Sequence, residues 1–367
     1  SKNKSPLSSI MTGTVSNTQT NNSPKVALFD IDEVKLGEKL GSGGFSDVYA
    51  VKAFEHINTR NRKLKQAHQE ARDQLINSAQ DGRYAIKFLK KKLLVDSVLF
   101  DAAAQDLEFE GEALSQLDHP NILKIRGWAT NGFDAYFKMN RHDAYFLLMD
   151  RLEKTLAQRI EEWKASAGSA ECNSKTNKKQ LLERLKIALD VASALEYLHS
   201  QGYIFRDLKP ENVGLDSKGR GKLFDFGLSR KMPKDHMEGE FQMSGMIGTP
   251  RYMSPEVHQC QPYDTKADVY SFSHLLWEML ALERPYAGFT REMHKKQTVL
   301  GGSRPELDPS WPLGIQKLLA RSWHSDMAKR PTMAEVRATL EIEIAGLVGS
   351  SRPRSDSCAK QMGISRT

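Results

Sequence analysis

Phe205-Arg206-Asp207-Leu208-Lys209-Pro210-Glu211-Asn212, followed by Asp225-Phe226-Gly227, is the most informative segment of this 367-residue chain. Toward the N-terminus stand Ala85-Ile86-Lys87 and Gly41-Ser42-Gly43-Gly44-Phe45-Ser46-Asp47-Val48, and toward the C-terminus Ser254-Pro255-Glu256. Any one triplet recurs by chance about once in 8,000 positions when each residue type makes up roughly 5% of a chain. Five strings in one order do not arise that way. Apolar residues alternate on both sides of the glycine cluster, at Val34, Leu36, Leu40, Val48 and Ala50, which predicts a strand, a turn and a strand. Tyr84 to Leu89 reads as the next strand, with Lys87 on it.

The ordered set resembles the protein-kinase signature series: glycine loop, strand lysine, catalytic loop, metal aspartate and the end of the activation segment. The resemblance runs from about Ile31 to Gly349. It implies an α+β, bilobal fold with a five-stranded antiparallel N-lobe sheet, one main N-lobe helix and a mainly helical C-lobe. It also implies transfer of the ATP γ-phosphoryl group, with Mg²⁺, to serine or threonine hydroxyls of protein substrates.

Residue by residue, the resemblance places Gly41, Gly43 and Gly44 over the ATP phosphates, where side chains would obstruct a close backbone approach. Lys87 would reach the α and β phosphates while a helix carboxylate holds its ammonium. Glu108, Glu110 and Glu112 compete for that partnership. In relatives the paired glutamate lies ten residues before the proline of a His-Pro-Asn-Ile string, here His119-Pro120-Asn121-Ile122, which selects Glu110. Asp207 would take the acceptor proton, Lys209 would neutralise the transferring phosphoryl group, and Asn212 and Asp225 would hold Mg²⁺. Leu40, Val48, Ala85, Met149, Asp150 and Leu152 complete the nucleotide pocket by resemblance, with Asp150-Arg151-Leu152 as the hinge whose backbone bonds adenine.

Three positions depart from the family pattern. Ser46 replaces the third glycine of the loop, Phe205 replaces a histidine that packs below Phe226, and Gly214 stands where relatives place an apolar side chain beneath the adenine. Arg206, before the catalytic aspartate, is at the place that commonly receives an activation-segment phosphate. Ser229, Ser244 and Thr249 are the candidates for that modification, with Ser244 favoured. Asp268 would anchor the catalytic-loop backbone, and Glu256 would pair with Arg330. The string Ser322-Trp323-His324-Ser325-Asp326, followed by Arg330-Pro331, resembles the tyrosine-kinase-like group.

Charge excludes one rival class. The net +7 sits mostly in the tails, +3 in residues 1–25 and +3 in residues 350–367, which leaves +1 for everything between. No nucleic-acid binding by the core is indicated. Cys172, Cys260 and Cys358 are scattered without metal-ligand spacing and read as reduced thiols. No apolar run approaches the ~20 residues that span a bilayer, and no signal-peptide h-region opens the chain. The expected location is inside the cell, in the cytoplasm, with the nucleus as the alternative.

The organisation follows from composition. Residues 1–24, rich in Ser, Thr and Asn, are expected to be a disordered tail, and residues 350–367 a basic one. The N-lobe is assigned to 25–152, with a helical insertion at about 54–80 read from the spacing of Leu64, Ala67, Ala71 and Leu75. The C-lobe takes 153–349, with a flexible insertion at about 166–179. Two other functional classes stand beside the kinase reading: a pseudokinase scaffold, against which every reactive position is filled, and a dual-specificity kinase.

Overall fold

An inserted helix and a short N-terminal strand distinguish the N-lobe in the computed structural model, which describes residues 26–55, 66–78, 82–134, 136, 139, 141–167, 174–232 and 248–349. Strands β1 (Ala27–Phe29), β2 (Val34–Ser42) and β3 (Ser46–Phe54) precede helix α1 (Gln66–Ser78). Then come β4 (Tyr84–Leu89), helix α2 (Ser97–Gln116), β5 (Ile125–Ala129) and β6 (Phe146–Asp150). These strands form one sheet in the order β1-β5-β6-β4-β3-β2.

The expectation of five antiparallel strands is thereby corrected. The sheet has six, and the sixth, β1, runs parallel to β5 with Ala27 opposite Gly127 and Phe29 opposite Ala129. Three residues are too few for an alternation signal, and β1 is held by tertiary contacts. Helix α1 packs against it. Arg72 of α1 donates to the Leu28 carbonyl at 3.0 Å, and its guanidinium lies 4.5 Å over the Phe29 ring. The expected insertion helix is therefore present over 66–78, whereas Leu64 lies outside the described residues.

Helix α2 begins at Asp96, whose carboxylate accepts from Leu99 N at 3.0 Å, a side-chain N-cap. Its buried residues, including Ala103, Leu107, Glu110, Gly111 and Leu114, recur at helical spacing and face the sheet. Gly111 permits the closest approach, since a Cβ there would stand 2.7 Å from Leu147 Cδ2 and 2.9 Å from the Tyr145 hydroxyl. That approach brings Glu110 to the cleft.

The C-lobe contains β7 (Lys154–Thr155), α3 (Leu156–Ala167), α4 (Ser174–Ser200), β8 (Tyr203–Ile204), β9 (Val213–Leu215), β10 (Gly221–Leu223) and β11 (Arg230–Lys231). It continues through α5 (Pro255–His258), α6 (Lys266–Ala281), α7 (Leu313–Ser322) and α8 (Met333–Gly349). The segment read as a flexible insertion, 166–179, is helical at both of its ends, since α3 runs to Ala167 and α4 starts at Ser174, while 168–173 lie outside the described residues. Polar composition does not by itself distinguish a helix end from a loop. Every residue of α6 from Ala267 to Leu280 is buried, as a helix at the centre of a lobe must be. Among the described residues, no helix is long and apolar enough to cross a membrane.

Candidate active site

A cleft of about 680 Å³ lies between the lobes, and sheet register explains its upper wall. Val48 pairs with Lys87 across β3 and β4, and Ala85 pairs with Met149 across β4 and β6. Directly opposite residues share a face, as do residues two apart on one strand. Val48, Ala85, Lys87 and Met149 therefore point the same way and line the cleft, joined by Leu40, Gly41, Gly43, Gly44, Asp150 and Leu152. A Cβ at Gly41 or Gly44 would meet nothing within 4 Å, so packing inside the protein does not demand glycine there. The absent side chains leave room for a ligand instead. The loop is pinned from β4's end by Lys90, whose ammonium donates to the Gly43 carbonyl and whose N–H donates to Phe45 O at 2.9 Å.

Lys87 is the hinge of the electrostatics. Its ammonium lies 2.6 Å from Glu110 Oε2 and 2.8 Å from Asp225 Oδ1. Desolvation pulls the Lys87 pKa down, but the Asp225 and Glu110 carboxylates outweigh it and hold the ammonium above the usual lysine range. Lys87 in turn depresses Asp225, which burial alone would raise. Glu110 is thus the partner among the three candidates. Glu108 sits instead near Glu112 and Asp134.

Across the cleft, Asp207 is gripped on both oxygens. Its Oδ1 accepts from Thr249 N and Thr249 Oγ1, each at 3.0 Å. Its Oδ2 accepts from Lys209 Nζ at 2.6 Å and Asn212 Nδ2 at 2.9 Å. Lys209 also donates to Thr249 Oγ1 at 3.0 Å, so lysine, aspartate and threonine form one closed triangle. The loop carrying Asp207 is strained, with Arg206 at φ 71°, and Asp225 stands at φ 65°. The Asp268 carboxylate holds that loop by accepting from Phe205 N and Arg206 N, both at 2.9 Å. Gly248 is required beside it: at φ 105°, a Cβ would also fall 2.6 Å from the Arg206 carbonyl. Phe205 meets Phe226 edge to face with ring centroids 5.1 Å apart, which is how an aromatic serves in place of histidine.

Donor chemistry at the cleft fits Mg²⁺ shared with a phosphate ligand. Among the described residues, no group of three or more His, Cys, Asp or Glu could enclose an ion by itself. Mg²⁺ ordinarily takes one or two protein carboxylates plus phosphate oxygens and water. Asp225 presents a carboxylate whose side chain is 46% exposed, while Asn212 spends its amide N–H on Asp207 O and Oδ2, which turns its amide oxygen away from that residue.

Away from the reacting groups, Arg330 donates to both oxygens of Glu256 at 2.7 and 2.8 Å. Of the proposed modification sites, Ser229 is fully buried, Thr249 is engaged with Asp207, and Ser244 lies outside the described residues. Arg206 donates to Leu228 O at 2.7 Å and to the Tyr263 hydroxyl at 3.2 Å. Sequence reasoning missed Leu123, Phe224, Arg251 and Arg284 in the cleft wall. Phe224 adjoins Asp225 and was readable by adjacency, whereas the others reach the cleft through tertiary folding alone.

The family described as protein kinase domain matches residues 72–340. That match begins inside α1, downstream of the glycine loop. A serine/threonine-protein kinase of Arabidopsis thaliana is 38% identical over 41% of this chain and 26% of its own length. A serine/threonine/tyrosine-protein kinase of the same plant is 37% identical over 43% of this chain and 39% of its own. A dual serine/threonine and tyrosine protein kinase of Strongylocentrotus purpuratus is 33% identical over 61% of this chain and 21% of its own. The chain thus spans well under half the length of these relatives. Together with the Lys87–Glu110 pair and the Asp207 network, the match over 72–340 establishes that this chain belongs to the protein kinase family.

Proposed function

We propose that this chain transfers the γ-phosphoryl group of Mg²⁺-bound ATP to serine or threonine hydroxyls of protein substrates inside the cell. The observation that carries the reading is that Lys87 bonds Glu110 and Asp225 at once while Asp207, across the same cleft, is held by Thr249, Lys209 and Asn212. A site kept only for scaffolding has no need of both halves. Lys87 would bind and orient the α and β phosphates, and the glycine loop would cover them. Asp225 and Asn212 would hold Mg²⁺, which offsets phosphate charge when bound. Asp207, fixed by Thr249 and Asn212, would orient the acceptor hydroxyl and take its proton, and Lys209 would neutralise charge on the phosphoryl group in flight.

Dual specificity is the second reading, favoured by relatives named for tyrosine as well as serine and threonine activity. Label transfer from γ-labelled ATP to a generic basic protein and to the chain itself tests the proposal, comparing wild type with Asp207→Asn and Asp225→Ala. Transfer by wild type no greater than by either variant rejects it in favour of the scaffold. Phosphoamino-acid analysis of the product decides the acceptor.

A further inference from the structure

Gly214 has no backbone reason to be glycine. It sits mid-strand in β9, paired with Lys222 of β10 and Thr155 of β7, and it is not among the glycines of positive φ. A glycine inside a strand costs stability and ordinarily marks a close approach. Here the approach is Leu152: a Cβ at position 214 would lie 2.2 Å from Leu152 Cδ1, 3.1 Å from its Cγ and 3.3 Å from its Cβ. No shift of a few tenths of an ångström relieves such an overlap. The leucine occupies the space that a side chain at 214 would fill.

Leu152 is held there from both sides. Arg151 N donates to Arg83 O at 2.9 Å and Glu153 N donates to Leu215 O at 2.8 Å, so the hinge is tied to β4's approach and to β9. The leucine lines the cleft facing the N-lobe wall of Val48 and Ala85, whereas Gly214 does not line it.

On the reading that this cleft binds ATP, we infer that the Leu152 side chain is the apolar floor for the flat adenine ring and a specificity-determining residue of the nucleotide site. The floor thus comes from the hinge rather than from the C-lobe strand, and Gly214 is its necessary complement. Leu152 therefore contributes more than backbone hydrogen bonds.

A side-chain exchange tests this, read by calorimetric titration with Mg·ADP and, in parallel, with inorganic triphosphate, which has no base. Leu152→Ala leaves the floor empty and weakens ADP about tenfold or more while triphosphate binding is unchanged. Gly214→Leu displaces Leu152 and also weakens ADP. The double variant Leu152→Ala/Gly214→Leu places an apolar side chain in the vacated space and recovers ADP affinity to within about threefold of wild type. Leu152→Ala binding ADP as wild type does, or a double variant no better than Gly214→Leu alone, overturns the inference. Wild type that binds no ADP overturns the nucleotide reading itself, a different result. Thermal unfolding without nucleotide identifies any variant that has lost its fold, and the still-folded Leu152→Ala then decides alone.

Discussion

Arg72, on the inserted helix α1, grips both carboxylate oxygens of Glu33 at 2.9 and 3.0 Å, and both side chains are almost fully buried. The pair joins two segments 39 residues apart and fixes α1 against the strand that begins the sheet. Removing one partner of a buried pair leaves a desolvated charge, which typically costs about 3–5 kcal/mol. Arg72→Ala is expected to lower stability by that order in urea unfolding, whereas Arg72→Leu/Glu33→Leu, which removes both charges, should recover most of it. An Arg72→Ala variant as stable as wild type would show that α1 is not fastened through this pair.

Arg330 and Glu256 pose the same question in the C-lobe. Arg330 is 2% exposed and also donates to His324 O at 2.8 Å and Lys266 O at 3.1 Å. Arg330→Ala should therefore cost at least as much stability as Arg72→Ala, again about 3–5 kcal/mol. Asp207→Asn, in contrast, should abolish transfer with little change in unfolding midpoint. Circular dichroism during denaturant titration separates the two outcomes.

Thr249 donates to Asp207 Oδ1 through both its hydroxyl and its N–H, which on the proposed mechanism makes it a positioning residue. Thr249→Ala removes the hydroxyl link and is expected to lower kcat about 100-fold with little change in the KM for ATP. Thr249→Ser keeps the hydroxyl and should restore most of the rate. Steady-state kinetics on the three proteins checks this, and equal loss in the serine variant would assign the effect to the missing methyl group.

Glu278, in α6, accepts from the Tyr252 hydroxyl at 2.5 Å, and burial pushes its carboxyl up to about 7 from 4.5. Between those values the folded chain keeps a proton that the unfolded chain has released. The stabilisation is full below about 4.5 and is lost as pH rises to about 7. Glu278→Gln removes that slope. His274 and His294, held by burial at about 3 and about 4, act in the opposite direction as pH falls below 6.5, so the effect is read as wild type minus variant. That difference should fall by on the order of 2 kcal/mol between pH 5 and 7. A flat difference would place the Glu278 carboxyl near its ordinary value.

The glycine loop offers a cleaner separation of fold from binding. Because a Cβ at Gly41 or Gly44 meets open space, Gly41→Ala should leave the thermal midpoint within a degree or two while raising the KM for ATP several-fold. A lowered midpoint with unchanged KM would mean the loop glycines serve the protein rather than the ligand.

Much of the site was legible because its chemistry is packed into short strings. Lys87, Asp207, Lys209, Asn212 and Asp225 belong to local patterns; four of them line the cleft, and Asp207 is bonded to Lys209 and Asn212 at its wall. The insertion helix read from the spacing of Leu64, Ala67, Ala71 and Leu75 is present at Gln66–Ser78, with Leu75 buried. Strand β1, the early start of α4 and the burial of Ser229 were not legible, since each depends on what packs against a segment whose own composition is uninformative.

The family, and the side chains that its motifs carry, could be read from amino-acid order, because backbone turns and side-chain types within a few residues encode them. Packing between distant segments supplies the physical reason these groups meet, including the Lys87–Glu110 pair that the His119-Pro120-Asn121-Ile122 spacing had selected. Glu110 reaches Lys87 because α2 lies close on the sheet at Gly111. Arg72 finds Glu33 because α1 returns to β1, and Leu152 fills the space over Gly214 because the hinge is bonded to β9. Each of these contacts spans tens of residues, and its energy comes from burial and charge pairing that no local pattern contains.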